Sequence, residues 1–210
     1  MANQGNMVVL KGVRFSYPNL FTAVHNPKND PNSKLEFSVR ILVRKDDKAA
    51  MAAIKKAVEF VKASPDLVKK WGTNGTIPAA IKPFYYDGDT TPNKEGKIPP
   101  ENAGCIYLNL KNATKPSVAK LTPEGMLQEL TDERELYAGC YGIVSFTLVP
   151  YPNHGQGFGI STYLSNIAKT ADGEPLAAHA TAATDDFAEF LAGENGDAAA
   201  DEASGLGGLF

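Results

Sequence analysis

Apolar and polar residues alternate along several stretches of the first 170 residues, and this period of two predicts β-strands. The clearest stretch is Leu35 to Val43, in which the odd-numbered residues are apolar and Glu36, Ser38 and Arg40 lie between them. Each such strand would bury one face and expose the other. Comparable stretches predict strands at 7–17, 104–111, 117–121, 126–130, 141–151 and 157–168.

Helical periodicity is confined to the first third of the chain. Asp46 and Asp47 predict the start of a helix, since an aspartate at this position accepts free backbone N–H groups. An apolar stripe with a period near 3.6 follows, and Ser64-Pro65 ends it. A second short helix is predicted from Pro65 to Trp71, with Trp71 as a core residue.

The order of these elements indicates the fold class. Seven or eight strands are not separated by regular helices, which disfavours a parallel α/β sheet. Residues 87–104 are polar and rich in Gly and Pro, which predicts a long exposed loop. We therefore predict a mainly β fold for residues 1–176: an OB-fold-like β-barrel with one or two inserted α-helices.

The charge is divided unevenly along the chain. The whole chain has a formal net charge of −3, but residues 171–210 hold nine Asp and Glu and no Lys or Arg. The first 170 residues therefore hold all 21 Lys and Arg but only 15 of the 24 Asp and Glu, a net charge of +6. This asymmetry is typical of proteins that bind nucleic acid or carry a masking tail.

Residues 177–210 are predicted to be a disordered acidic tail, because they contain few large apolar side chains. The tail ends with Phe210 after a glycine-rich stretch, so an apolar ring lies beside the terminal carboxylate. Such an end would fit a basic-rimmed pocket of another protein. We predict partner binding by Asp201, Glu202, Leu209 and Phe210; an inert solubilising tail is the alternative.

Several function classes lack support in the sequence. No apolar run is long enough for a membrane span, and the N-terminus does not predict a secretory signal. Cys105 and Cys140 are far apart, so reduced thiols are expected rather than a disulfide framework or a zinc site. The three histidines form no metal-binding motif, and no cofactor motif occurs. We therefore expect no enzyme activity, no metal and no cofactor.

Basic and aromatic residues are interleaved on the predicted outer faces. Single-stranded nucleic acid requires this mixture, because cations contact phosphates and flat rings stack on bases. The candidate DNA-binding residues are Lys11, Arg14, Phe15, Tyr17, Lys34, Arg40, Arg44, Lys82, Tyr85, Tyr86, Tyr107, Lys111 and Lys115.

Four segments resemble a known family. They are Val13 to Phe21, Phe37 to Val43, Gly139 to Phe146 and Gly157 to Glu174, which together extend over most of residues 8–176. They resemble phage single-stranded-DNA-binding proteins with an OB fold and an acidic C-terminal tail, a family formerly catalogued as a domain of unknown function.

The resemblance implies a protein that coats and protects single-stranded DNA during phage replication, recombination and repair. It would bind DNA without sequence preference in the cytoplasm of the infected bacterium. The acidic tail would compete with DNA and recruit replication and recombination proteins of the phage or host. A homo-oligomer is compatible with this role, and no membrane partner is expected.

Two alternatives of other classes remain open at this point. Asp87 and Asp89 could hold a cation in a metal-dependent DNA nuclease, although a solvated turn also explains this pair. The chain could also be a structural virion or scaffolding protein whose tail binds a partner.

Overall fold

The computed structural model describes residues 5–25, 30–155 and 157–176. In this part of the chain, eight strands form one sheet in the order β3-β4-β2-β1-β7-β8-β5-β6. The strands are β1 Met7–His25, β2 Leu35–Arg44, β3 Tyr86–Asp87, β4 Cys105–Asn112, β5 Ser117–Leu121, β6 Leu127–Glu129, β7 Tyr141–Tyr151 and β8 Gly159–Ala171.

Five of these strands close into a barrel. The antiparallel neighbours β4, β2, β1, β7 and β8 follow one another, and β8 then pairs in parallel with β4 at Lys111 and Tyr163. Strands β3 and β5–β6 extend the sheet beyond the closed part. This architecture confirms the prediction of a mainly β, OB-like barrel.

Apolar side chains from the alternating strands fill the barrel. The inward residues of β2 and β4 include Val39, Ile41, Leu108 and Leu110, all of which are almost completely buried. Phe146 of β7 is buried among them, as expected from its apolar face. The period of two therefore predicted these core positions correctly, but Leu35 at the start of β2 is exposed and Leu42 on its other face is buried.

The first strand differs from its predicted form. It was predicted to end at residue 17 but continues through Pro18 to His25. A β-bulge follows Leu10, where Gly12 has a φ of +66°, and the pairing with β7 shifts by one residue. The extra residue reverses the alternation, so Val13 and Phe15 face the core. The outward placement of Phe15 is wrong for this reason, since its ring is completely buried.

Both predicted helices are present. Helix α1, Lys48–Ala63, begins after Asp47, whose side chain accepts the N–H of Ala50. Helix α2, Pro65–Val68, continues into a 3₁₀ turn, Lys69–Trp71. Trp71 is completely buried, and its Nε1 donates a hydrogen bond of 2.9 Å to the carbonyl of Gly159. This confirms Trp71 as a core residue that joins the helical segment to β8.

The segments outside the barrel agree with the sequence in part. The strands predicted at 117–121 and 126–130 are present as β5 and β6, which pair as a hairpin. Residues 77–86 contain only the start of the two-residue strand β3 and a bridge between Ile81 and Phe158. Further 3₁₀ turns lie at Pro100–Asn102 and Glu133–Glu135. No helix in the described residues is both long and apolar enough to cross a membrane.

The described chain continues past β8 along the barrel wall. Leu176 donates its N–H to the carbonyl of Ala138 at 2.8 Å, and the Nη2 of Arg14 contacts the carbonyl of Glu174 at 2.6 Å. Residues up to 176 therefore belong structurally with the barrel. The predicted disorder of 177–210 falls outside the described residues and stays a prediction, as does the division of the chain into 1–176 and 177–210.

Candidate nucleic-acid interface

A row of aligned residues crosses five adjacent strands on the outer face of the barrel. Strand pairing aligns Tyr86 of β3 with Tyr107 of β4, Tyr107 with Leu42 of β2, and Leu42 with Arg14 of β1. The row continues to Tyr141 of β7, over whose ring the Arg14 guanidinium lies at 5.7 Å. Three tyrosines and one arginine thus lie along a single line across the sheet.

A stack of flat groups lies beside this row. The rings of Tyr86 and Tyr107 are parallel within 17°, with their centroids 5.0 Å apart. The Arg40 guanidinium carbon lies 4.3 Å from the Tyr107 ring centroid and 5.1 Å from that of Tyr17. These four residues form what we call the stacked column. Arg40 is oriented within it by a 2.9 Å hydrogen bond from its Nε to Oδ1 of Asn109.

A second cation lies farther along the same face. Lys111 of β4 pairs with Ser38 of β2, and its Nζ forms an ion pair of 3.0 Å with Glu36. The Glu36 side chain is mostly covered whereas that of Lys111 is about half exposed. The lysine therefore keeps access to solvent beside the stacked column.

These residues line a continuous concave surface. A cleft of about 490 Å³ lies between β1 and the segment before β3. Its lining residues include Tyr17, Asn19, Ser38, Arg40, Phe84, Tyr86, Asn109, Lys111, Tyr151 and Thr162. A second cleft shares Tyr17 and Arg40 with it and reaches Tyr107 and Lys94, so the two clefts meet at the stacked column.

The loop of residues 88–104 forms one wall of this surface. Its Pro99 and Asn102 line the cleft at the column, whereas Ala103 and Gly104 line a third cleft that contains Arg14 and Arg44. Three clefts with basic and aromatic lining residues therefore lie along β1, β2 and β4. We call this surface the barrel tract.

Both ends of that loop are tied to the end of β2. Lys45 Nζ contacts Oδ1 of Asp87 and Oδ2 of Asp89, each at 2.6 Å. Asp89 also accepts the N–H of Gly104 at 2.7 Å. Hydrogen bonds from Lys45 lower the pKa of both carboxyls below the usual range, and the two carboxylates raise the pKa of Lys45. The loop wall is thus held by one lysine between two aspartates.

The same contacts bear on the nuclease alternative. Asp87 and Asp89 direct their oxygens at Lys45 and at backbone N–H groups rather than at an open cation position. Among the described residues, no group of three His, Cys, Asp or Glu is placed to hold a metal ion. The geometry therefore favours a structural role for the two aspartates.

Comparison with known proteins identifies the family. The sequence matches the family model described as Enterobacter phage Enc34, ssDNA-binding protein, over residues 6–200. The chain belongs to this family of phage single-stranded-DNA-binding proteins. The predicted resemblance is confirmed, and the family description names a binding protein.

Solved structures of other phage proteins show the same fold. The single-stranded DNA-binding protein from bacteriophage Enc34, in complex with ssDNA, is 24% identical, with a TM-score of 0.60 over 84% of this chain and 96% of that chain. The gp2.5 single-stranded DNA binding protein encoded by bacteriophage T7 is 14% identical, with a TM-score of 0.54 over 87% and 99%. A comparison with curated proteins finds no match.

More than half of the candidate DNA-binding residues come together on the barrel tract. They are Arg14, Tyr17, Arg40, Arg44, Tyr86, Tyr107 and Lys111. Arg14 and Arg44 line the third cleft, where Arg44 forms an ion pair with Asp46 and Arg14 donates to the carbonyls of Gly139 and Glu174. Arg40 and Lys111 contact Asn109 and Glu36, and both line the cleft at the stacked column. Their position makes them the cations at the centre of the tract.

The remaining candidates lie elsewhere. Tyr85 lines a groove beside α1 with Met51 and Val58. Lys82 packs against Gly157, in the β7–β8 connection. Among the described residues that line the three clefts, Lys11, Lys34 and Lys115 do not occur. The structure therefore brings the strand residues together but not these lysines.

Several residues of the tract were absent from the candidate set. Asn109 lies opposite Arg40, and its hydrogen bond to Arg40 depends on the pairing of β2 with β4, which the sequence pattern does not show. Tyr141 is about one-third exposed at the start of β7, and an outward aromatic at the start of an alternating strand is a signal that could have found it. The tail candidates Asp201, Glu202, Leu209 and Phe210 lie outside the described residues.

Proposed function

We propose that this protein binds single-stranded DNA along the barrel tract, without sequence preference and without catalysis. The observation that carries the proposal is the stacked column, in which the exposed rings of Tyr17 and Tyr86 lie at the two ends of a stack that includes Arg40, within a concave surface. Rings stack on bases of any sequence, and each stacked base contributes about 1–3 kcal/mol. Cations beside the rings contact the phosphates.

Placement on the barrel supports this assignment. In OB folds, oligonucleotides bind on the face of the second and third barrel strands and the loops beside it. Here those strands are β2 and β4, which carry Arg40, Tyr107, Asn109 and Lys111 on their outer faces. The family relative from phage Enc34 was solved with ssDNA, which agrees with the same class of ligand.

The biological role that we propose follows from the family. The protein coats exposed single strands in phage DNA replication, recombination and repair, in the cytoplasm of the infected bacterium. Its acidic C-terminal residues compete with DNA and recruit replication and recombination proteins of the phage or host. The gp2.5 protein of phage T7, which shares the fold, is itself a single-stranded DNA binding protein.

Fluorescence polarisation with a labelled oligo-dT tests the proposal. We expect binding at low salt that weakens as salt rises, with a log–log slope of about 0.7 for each phosphate neutralised. Replacement of Arg40 by Gln should weaken binding at least several-fold, because it removes the central cation of the tract. Lys56→Gln on α1 is the matched control and should bind normally. No binding by the intact protein at low salt would overturn the proposal.

A further inference from the structure

The stacked column has exposed rings at its two ends, whereas the Tyr107 ring inside it is covered. Its residues follow the strand order, with Tyr86 on β3, Tyr107 on β4, Arg40 on β2 and Tyr17 on β1. Tyr17 is 59% exposed and Tyr86 is 43% exposed, but Tyr107 is only 6% exposed. Tyr107 contacts the Tyr86 ring and the Arg40 guanidinium within stacking distance. A base therefore has access to the ends of the column and not to Tyr107.

The arginine inside the column is held in a fixed orientation. Asn109 accepts the Nε hydrogen of Arg40, and the guanidinium carbon lies near the rings of both Tyr107 and Tyr17. A guanidinium has five N–H groups in one plane. In the described part of the chain, no hydrogen bond occupies the other four. Their edge is available to an anion such as a phosphate.

The Tyr17 ring is placed by an unusual backbone conformation. Tyr17 has a φ of +49°, in the left-handed region, although it is not glycine and Pro18 follows it. Such a conformation costs of order 1–3 kcal/mol and persists only where surrounding contacts impose it. Asn19 supplies one such contact, since its Nδ2 donates to the carbonyl of Tyr17 at 3.1 Å.

We infer that the column provides two separate base-stacking positions, one on the outer face of Tyr17 and one on the outer face of Tyr86, with the Arg40 edge binding a phosphate between them. Tyr107 and Asn109 are positioning residues: they orient Arg40 and support Tyr86 without contacting DNA. This inference rests on the proposed function and specifies how the tract binds its ligand.

The spacing of the two positions excludes stacked neighbouring bases. Tyr17 and Tyr86 lie on strands three steps apart in the sheet. Adjacent strands are about 4.8 Å apart, so the rings are separated by roughly 14 Å. Neighbouring bases in a stacked DNA strand are only about 3.4 Å apart. Two bases at the column ends are therefore not stacked neighbours.

Photo-crosslinking tests which rings contact bases. The intact protein is irradiated with an oligo-dT in which 5-iodouracil replaces thymine, and the crosslinked tyrosines are identified by mass spectrometry. We expect crosslinks at Tyr17 and Tyr86 and none at Tyr107. A crosslink at Tyr107 would overturn the inference, as would DNA binding with no crosslink at either column end.

Variants test the roles independently. Tyr17→Ala and Tyr86→Ala should each weaken oligo-dT binding at least about fivefold, and their effects should multiply because the two rings do not touch. Neither should weaken binding to an abasic oligomer of the same length. Tyr85→Ala is the matched control, since Tyr85 adjoins Tyr86, is equally exposed at 43% and lies in the groove beside α1.

The positioning residues should behave differently. Asn109→Ala should weaken binding to both oligo-dT and the abasic oligomer, because it releases the phosphate-binding Arg40. Tyr107→Phe should restore the binding that Tyr107→Ala loses, since only the ring is required. Equal loss in Tyr107→Phe and Tyr107→Ala would contradict the positioning role. If the wild-type protein bound no oligo-dT at all, the proposed function itself would fail. If it bound oligo-dT but the variants did not show the expected effects, only the inference about the column would fail.

Discussion

Tyr17 combines a strained backbone with a highly exposed ring, and this combination indicates a residue retained for binding rather than for stability. An exposed aromatic ring contributes little to the core, while a φ of +49° disfavours every residue except glycine. Proteins commonly accept such a cost where activity needs a fixed geometry. At this position, stability and function therefore make opposite demands.

This conflict gives a prediction for Tyr17→Gly. Glycine adopts positive φ without steric strain, so we expect the variant to be at least as stable as Tyr17→Ala while it binds oligo-dT equally weakly. Thermal unfolding by circular dichroism measures the first effect and fluorescence polarisation the second. A Tyr17→Gly variant that unfolds at a clearly lower temperature than Tyr17→Ala would show that the backbone is not strained there.

At the scale of single elements, side-chain contacts between segments fix the loop that forms one wall of the barrel tract. Lys45 connects the end of β2 to both Asp87 and Asp89, and so fixes the loop that walls the tract. Because these groups are exposed, we expect the contact to position the loop without adding much to global stability.

Replacement of Lys45 by Met should raise the pKa of Asp87 and Asp89 toward the usual carboxyl range, since the hydrogen bonds that lower it are lost. In the wild type, both pKa values lie below their unfolded values. The ion pairs of Lys45 with Asp87 and Asp89 are therefore fully formed at a pH above the usual carboxyl pKa range. They are lost as the pH falls through the lowered pKa values. NMR titration of the side-chain carboxyl carbons measures this, with Lys56→Met as the control. Unchanged carboxyl pKa values in Lys45→Met would refute the assignment.

A second tie joins the helical segment to the barrel. Trp71→Phe removes the N–H that the Gly159 carbonyl accepts inside the core, and an unsatisfied buried acceptor costs about 1–3 kcal/mol. Urea unfolding should show this loss, whereas oligo-dT affinity should not change in the folded protein. Retention of full stability would mean that another donor replaces the indole.

The elements also show where sequence reasoning succeeded and where it could not. The strand from Leu35 to Val43 was predicted correctly because an apolar residue recurs at every second position along it. Phe15 was assigned to the wrong face because the bulge at Gly12 shifts the alternation of inward and outward residues by one position. The sequence pattern alone does not show where such a bulge occurs. The covering of Tyr107 follows from β3 pairing with β4, which depends on chain segments distant in sequence. The outward position of Tyr107 was predictable, whereas its role within the column was not.

At the scale of the whole molecule, the charge distribution is a further determinant of DNA affinity. Residues 177–210 contain seven Asp and Glu and no Lys or Arg, so their removal changes the formal net charge from −3 to +4. The cut belongs after residue 176, because Glu174 and Leu176 form hydrogen bonds with the barrel. A more positive protein attracts a polyanion more strongly over long range.

Truncation after Leu176 should therefore tighten oligo-dT binding, and the gain should shrink as salt rises because long-range attraction is screened. Polarisation titrations at low and high salt measure both effects. A full-length variant with the seven acids changed to Asn and Gln is the control: it keeps the chain length and should reproduce the gain. If truncation tightens binding but the neutralised chain does not, chain length rather than charge limits access to the barrel tract. If neither changes affinity, the acidic residues do not compete with DNA.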